Sequence, residues 1–271
     1  MKKKASFTLN DEEYFYRKNG HGNKQVLLIH DNFTTSRYFQ PIMNMINKDN
    51  FSLYAPDLMG CGHSSYFNPS RLFLNYVNYV QNFCNHLYLD KFIIIGWGIG
   101  GAIGLQLAAQ MNKQVDSIIL INPNAYDINS DEDIEIKNKN LEKIITDINA
   151  QDQAQLAYDF TKQYYVYMTP SFHEEDVLMK ETLLQKNPLD LSLAMKISNI
   201  PNETLKIINS KTFILYGEMD STINPIFRKK INENIKNHDC RIINHSGHMM
   251  MIDDPQSIVD TLNEAFMITT E

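Results

Sequence analysis

Short segments rich in Ile, Val, Leu and Phe recur along this chain of 271 residues, with helical segments between them. They are apolar throughout rather than alternating, which is typical of strands buried on both faces of a parallel sheet. Their alternation with helices predicts an α/β fold with a doubly wound, mostly parallel sheet. The predicted strands are Val26–His30, Phe51–Pro56, Lys91–Gly96, Ser117–Asn122, Lys211–Gly217 and Cys240–Asn244.

An antiparallel hairpin is predicted ahead of these strands, from Ala5–Leu9 and Glu13–Lys18, with its turn at Asn10 and Asp11. Helices are predicted between the strands. Some of them open with proline. Proline has no N–H, and it is tolerated there because the N–H groups of a first turn have no partner within the helix. The predicted helices are Tyr38–Asn47, Ser70–Leu87, Gly100–Met111, Pro225–Ile235 and Pro255–Phe266.

The alternation stops for about 85 residues between the strand near Asn122 and the one near Lys211. A segment of this length is too long for a structureless loop in a compact domain, so a helical insertion is predicted. We therefore expect residues 1–123 and 206–271 to form the α/β core, and residues 124–205 to form a helical cap on it.

The composition narrows the kind of partner. The formal net charge of -7 argues against a nucleic acid or an anionic membrane surface. No stretch approaches the roughly 20 apolar residues of a membrane-spanning helix, and the basic start lacks the apolar run of a secretory signal. Three widely spaced cysteines do not form a disulfide framework. We expect a cytoplasmic protein with a small-molecule partner and no metal; the sequence does not specify its oligomeric state.

Four motifs follow predicted strands in a fixed order, and together they resemble the α/β-hydrolase superfamily from about Glu13 to Phe266. The resemblance implies a hydrolase core, a cap that sets substrate specificity, an acyl or ester-like small molecule as ligand, and no cofactor. The motifs are Leu27–Ser36, Ala55–Ser65, Phe92–Ala102, and the pair formed by Leu215–Asp220 and His245–His248.

The third motif has the strand, sharp turn and helix of a nucleophile elbow, whose pattern is G-x-S-x-G. In this chain Gly98 stands where the family carries its catalytic serine. Asp220 matches the family's acid and His248 matches its histidine, in the chain order that the fold requires. Glycine relieves the strain of a positive φ at this position, but it removes the hydroxyl that forms an acyl-enzyme.

The resemblance also implies an oxyanion hole built from two backbone N–H groups. One is that of Ile99, which needs no particular side chain and is expected to remain available. The other is that of Asn32, or of Phe33 if the loop is shifted by one residue. Trp97, beside the elbow, is expected to lie at the substrate site. The loop departs from the family pattern because Asp31 stands where glycine is usual.

The second motif resembles the family's D-x-x-G-x-G-x-S turn. Asp57 is expected to anchor this turn through hydrogen bonds to the backbone. Cys61 and Ser64 are present in it, but no base accompanies either one, which argues against a nucleophilic role. We expect the turn to be structural.

The elbow also satisfies G-x-G-x-x-G, the dinucleotide-binding pattern, from Gly96 to Gly101. Three features argue against that interpretation. Two strand–helix units precede the pattern, the next strand ends in Asn122 instead of an acidic residue, and a dinucleotide site would leave Asp220 and His248 without a role.

Three accounts of Gly98 remain open on the sequence. In the first, the parent protein is a serine hydrolase for a small ester or similar acyl substrate, and glycine is an engineered knock-out. In the second, glycine is natural and the chain is a non-catalytic relative that binds a small ligand or a partner. In the third, His248 and Asp220 perform nucleophile-free chemistry, such as proton abstraction in a lyase. The retained acid and histidine favour the first and third.

Overall fold

The computed structural model describes residues 3–32, 34–65, 72–125 and 200–268. Within this part of the chain an eight-stranded sheet runs in the order β1-β2-β4-β3-β5-β6-β7-β8. The first two strands are antiparallel and β2 is antiparallel to β4, whereas the remaining neighbours are parallel. The predicted mostly parallel sheet is confirmed. Its strands are β1 Lys3–Leu9, β2 Glu12–Gly20, β3 Lys24–Ile29, β4 Phe51–Pro56, β5 Phe92–Trp97, β6 Val115–Ile121, β7 Lys211–Gly217 and β8 His238–Ile243.

The helices of the described residues are α1 Gln40–Met45, α2 Phe73–His86, α3 Ile99–Gln110, α4 Asn202–Lys206, α5 Pro225–Asn234, α6 Met250–Asp253 and α7 Pro255–Ile268. The helix predicted over Tyr38–Asn47 is instead a 3₁₀ turn at Ser36–Phe39 followed by α1, which ends where Ile46 becomes extended. Within the described ranges, no helix is long and apolar enough to cross a membrane.

The sheet separates two apolar cores, as a doubly wound fold requires. Successive residues of β3 alternate between them, with Val26 and Leu28 on one face and Leu27 and Ile29 on the other. Helices α2, α3 and α5 cover the face of Leu27, and helices α1, α6 and α7 cover the face of Val26. Each buried aliphatic side chain of this kind stabilises the fold by roughly 1.5–3 kcal/mol, so the sheet is a rigid base for the loops at its edge.

The amino-terminal hairpin is confirmed, and its turn has a local cause. Asn10 and Asp11 both have positive φ, at 51° and 64°. Two consecutive positive φ values define the two-residue turn whose twist matches that of the flanking strands, and asparagine and aspartate tolerate this conformation better than most residues.

The predicted cap, residues 124–205, falls mostly outside the described residues, which omit 126–199. At its carboxyl end the chain is already part of the core. Ile200 and Leu205 are buried in the cluster that contains α2 and α3. The division into a core and a cap at 123 and 206 stays a prediction.

The turn of the second motif ties two loops together. The Asp57 carboxylate accepts the N–H of Ser36 at 2.8 Å and that of His63 at 3.0 Å. The buried Ser64 hydroxyl donates to the Asp57 carbonyl at 2.7 Å, and Cys61 is buried beside it. These contacts confirm the structural role predicted for the motif, and they fix the segment that follows β3.

Candidate active site

Four loops meet at one edge of the sheet, where they follow the carboxyl ends of β3, β5, β7 and β8, with β6 between β5 and β7. Such an edge is where open α/β sheets bind ligands. Asp31 follows β3, Gly98 follows β5, Asp220 follows β7 and His248 follows β8. The structure thus brings together the three residues predicted to form the site, and it adds Asp31 to them.

The elbow has the sharp backbone turn that its pattern predicts. Gly98 has φ 55° and ψ -118°, a conformation that L side chains rarely adopt. Its N–H donates to the Ile121 carbonyl at 3.0 Å, and its carbonyl accepts the N–H groups of Gly101 and Asn124, both at 3.0 Å. The turn is therefore held by both neighbouring elements, β6 and α3.

The predicted acid and histidine are in direct contact. Nδ1 of His248 lies 2.7 Å from Oδ2 of Asp220. The second carboxylate oxygen, Oδ1, accepts the hydroxyl and the N–H of Thr222 at 2.7 and 2.8 Å. Oγ1 of Thr222 also lies 2.9 Å from Nδ1 of His248. The pair therefore has a hydroxyl support that the motif comparison did not include.

The other ring nitrogen of His248, Nε2, contacts Asp31, a residue that was not predicted to belong to the site. Oδ2 of Asp31 lies 2.7 Å from Nε2 of His248. Oδ1 of the same carboxylate accepts the N–H of Ile99 at 2.7 Å. The Asp31 side chain is only 7% exposed. A buried carboxylate thus occupies the space between the histidine and the start of α3, directly over Gly98.

Gly98 and Asp31 are sterically dependent on each other. A Cβ atom at position 98 would lie 2.5 Å from Oδ2 of Asp31 and closer still to Cγ and Oδ1. Real Cβ atoms essentially never approach another heavy atom this closely. Any side chain at position 98 therefore requires the Asp31 carboxylate to move.

The predicted oxyanion hole needs a correction. The N–H of Ile99 is present, but it was expected to be available, and it is bonded to Asp31 instead. Asn32 is buried in the loop after β3, next to Asp31, and its role as a donor stays a prediction. Phe33, the alternative donor, lies outside the described residues.

His30 fixes the backbone of the Asp31 loop from within the core. Its Nε2 accepts the N–H of Leu58 at 2.9 Å, so the proton of the neutral ring is on Nδ1. Nδ1 then donates to the Asp31 carbonyl at 2.8 Å. Burial lowers the pKa of His30, which favours this neutral form.

Trp97 lies next to the candidate site and beneath it. Its side chain is fully buried in the core on the α1 side of the sheet. The indole Nε1–H donates to the His248 carbonyl at 2.9 Å, and the two ring centroids are 5.4 Å apart. Trp97 thus supports the histidine loop, and a contact with substrate stays a prediction.

Asn122 is a second residue that the motif comparison missed. It is fully buried, with φ 44°. Its Nδ2 donates to the carbonyls of Gly247 and His248 at 2.9 and 3.1 Å, and its Oδ1 accepts the N–H of Gly217 at 2.7 Å. One side chain therefore links the loop that carries the acid to the loop that carries the histidine.

The electrostatics of the pair follow from its two carboxylates. Burial alone would lower the pKa of His248, but the Asp220 carboxylate, assisted by Asp31, outweighs burial and raises it to about 10. Burial alone would raise the pKa of Asp220, yet the charge and hydrogen bond of His248 hold it below its ordinary value. The two carboxylates therefore favour the imidazolium form of His248, which suits it to donate a proton.

The chain matches the family model described as alpha/beta hydrolase fold over residues 24–255. It is 24% identical to Lipase 3 of Moraxella sp. over 267 residues, covering 90% of this chain and 80% of the lipase. It is 27% identical to a mouse serine hydrolase-like protein over 112 residues, which are 41% of this chain and only 36% of the mouse protein.

Among solved structures, a thermophilic esterase from Thermogutta terrifontis has the same fold, with a TM-score of 0.78 and 19% identity over 99% of both chains. The family match spans most of the chain, and the described sheet carries the elbow, the acid and the histidine in the order found at this edge. This chain therefore belongs to the α/β-hydrolase fold family and is related to its lipases and esterases.

Proposed function

We propose that this protein binds a small acyl or ester-like molecule at the edge of the sheet and hydrolyses it by direct attack of water, without a serine acyl-enzyme. One observation carries the proposal. The buried His248 is held between two carboxylates, while the elbow below it has no side chain and the Asp31 carboxylate occupies the space that one would need. The groups needed for proton transfer are in place, and the group needed for covalent acyl transfer is absent.

The same observation weighs against a simple loss of serine from an otherwise complete site. A serine at position 98 would require the Asp31 carboxylate to leave its present place, so a single replacement at position 98 does not by itself account for the observed arrangement. The departures at positions 31 and 98 are complementary in space. This complementarity favours glycine as a native feature of the chain and the nucleophile-free account of its chemistry.

A steady-state assay with p-nitrophenyl acetate and butyrate tests the proposal. We expect turnover by the unaltered chain without a pre-steady-state burst, and a fall of about 10²–10⁴-fold in kcat/KM for His248→Gln. His245→Asn is the matched control, because His245 is an exposed histidine on the same loop and asparagine tolerates its positive φ of 58°. Equal rates for all three proteins, or a stoichiometric burst, would contradict the proposal.

A second function, ligand binding without catalysis, is favoured by one specific contact. The Ile99 N–H, which an oxyanion would use, donates to the Asp31 carboxylate instead. This donor is therefore already occupied when no substrate is bound. Calorimetric titration with butyrate distinguishes the two functions. Binding of butyrate together with absence of His248-dependent ester turnover would support the binding function.

A further inference from the structure

Asp31 occupies the place in the hydrogen-bond chain where a serine hydroxyl would stand in a triad. Such a hydroxyl contacts Nε2 of the histidine and lies close to the N–H at the start of the following helix. In this chain Oδ2 of Asp31 makes the first contact and Oδ1 makes the second, each at 2.7 Å. The carboxylate reaches this place from the loop after β3, over the bare backbone of Gly98.

We propose that Asp31 is the catalytic base of this site, taking the place of the serine–histidine couple, and that His248 acts as the acid. This inference rests on the proposed hydrolytic function and adds the identity of the group that activates water. Substrate and water enter between the two side chains and separate Oδ2 of Asp31 from Nε2 of His248.

Of the two described carboxylates that contact His248, Asp31 is the one suited to accept a proton from water. Asp220 contacts the opposite nitrogen of the ring and has a fully buried side chain. The two carboxylates that face His248 raise its pKa and so favour the form with protons on both nitrogens, which suits it to act as the acid. Asp31 has 7% of its side chain exposed and lies on the side of the ring that faces the elbow.

The reaction balances with these groups alone. Asp31 takes one proton from water as the water oxygen bonds to the carbonyl carbon of the ester. The tetrahedral adduct breaks its C–O bond to the leaving alcohol, and Nε2–H of His248 protonates that oxygen. The products are an acid and an alcohol. The proton on Asp31 then returns to His248, which restores the ion pair.

Direct attack by Asp31 on an ester is less productive for a chemical reason. The adduct would carry both an alkoxide and a carboxylate as leaving groups, and the carboxylate is by far the weaker base. The adduct would therefore expel Asp31 and regenerate the substrate. A base role is consistent with this limit, because it leaves no bond between the enzyme and the acyl group.

The first test removes the basicity of Asp31 and keeps its shape. Asp31→Asn is expected to lower kcat/KM for p-nitrophenyl acetate by at least about 100-fold. Glu218→Gln is the matched control, because this exposed carboxylate lies two residues from Asp220 and accepts the N–H of His245 and not the His248 ring. A variant Asp31→Asn as active as the unaltered chain would overturn the assignment.

A second test supplies the base from solution. Asp31→Ala opens the space over Gly98. Formate at 100 mM is expected to enter this space and to raise the rate of the variant by at least about tenfold over its rate without formate. Single turnover in H₂¹⁸O is expected to place the label in the product acid and none in Asp31. Absence of formate rescue in a folded variant, or label in the Asp31 carboxylate, would refute the base role.

The outcomes separate the two levels of inference. If the unaltered chain shows His248-dependent turnover and Asp31→Asn retains it, the hydrolytic function stands and the role of Asp31 fails. If the unaltered chain shows no His248-dependent turnover, both fail. The pair Asp31→Gly with Gly98→Ser adds an independent measurement, since it is expected to show the acyl-enzyme burst that the unaltered chain lacks.

Discussion

The site has two halves that differ in how closely they follow the family pattern. The acid–histidine half, Asp220 and His248 on the loops after β7 and β8, has the pairing that the resemblance implies. The elbow half, Asp31 and Gly98 on the loops after β3 and β5, has a carboxylate in the place of a hydroxyl. A histidine with its acid is therefore not evidence for serine chemistry. On the proposed mechanism, the group on the other side of the histidine decides whether the histidine acts as a base or as an acid.

The largest effect is expected from the acid–histidine half. Asp220→Ala removes one partner of a fully buried ion pair, which costs about 3–5 kcal/mol of unfolding free energy. Asp31→Ala is expected to cost less, about 1–3 kcal/mol, because its side chain is less buried. Urea denaturation at pH 7 measures both. Equal losses would mean that the two carboxylates hold His248 equally.

The elbow half is tested by adding one carbon atom, the Cβ of alanine, at position 98. Gly98→Ala is expected to destabilise the chain by about 1–3 kcal/mol, because its Cβ overlaps the Asp31 carboxylate. Combining it with Asp31→Gly removes the overlap and leaves the positive-φ strain. A double-mutant cycle is therefore expected to give a coupling energy of about 1 kcal/mol or more. Additive losses would show that the two positions do not depend on each other.

The connection inside the acid–histidine half depends on Asn122. Asn122→Asp keeps the acceptor for the Gly217 N–H but loses the donor to the Gly247 and His248 carbonyls. We expect a loss of about 1–2 kcal/mol in stability and a change in the NMR titration of the His248 ring. Asn112→Asp is the control, because Asn112 is a partly exposed asparagine whose Nδ2 donates to the Ile207 carbonyl, far from the site. Identical His248 titrations in both variants would contradict this role.

A separate effect, gradual and spread over several pH units, is a slope of stability against pH. The pKa of His248 is raised from 6.5 to about 10 in the folded chain. Between these values the folded state keeps a proton that the unfolded state has lost, so stability is full below pH 6.5 and falls as pH rises towards 10. The slope is at most about 1.4 kcal/mol per pH unit for one proton. Denaturation series at pH 7–9 should show it, and His248→Gln should remove it.

The sequence predicted the sheet well because its strands are buried on both faces. Phe51–Pro56 and Lys211–Gly217 were predicted with the observed bounds. The strand at Cys240–Asn244 was less accurate. It is β8, the edge of the described sheet, and it is partly exposed, so the apolar pattern there is weaker.

The site was predicted where a motif fixes a residue by its place after a strand. Asp220 and His248 meet because the carboxyl ends of β7 and β8 are neighbours. Asp31 was noticed as a departure from glycine, but a sequence does not give the direction of a side chain. Its direction depends on His30 fixing the loop backbone and on the empty space over Gly98. The link through Asn122 depends likewise on contacts between residues about 95 and 125 positions apart in the chain.

The overlap between position 98 and Asp31 also limits how such a site changes over generations. A side chain gained first at position 98 meets the carboxylate and lowers stability, whereas loss of the carboxylate first leaves an accommodating space. A lineage that passes from this arrangement to a serine nucleophile therefore meets less resistance if the Asp31 side chain is displaced or lost before the serine is gained. In the opposite direction, loss of the side chain at the elbow frees the space that the carboxylate then occupies. The contact between the two positions thus favours one order of changes over the other.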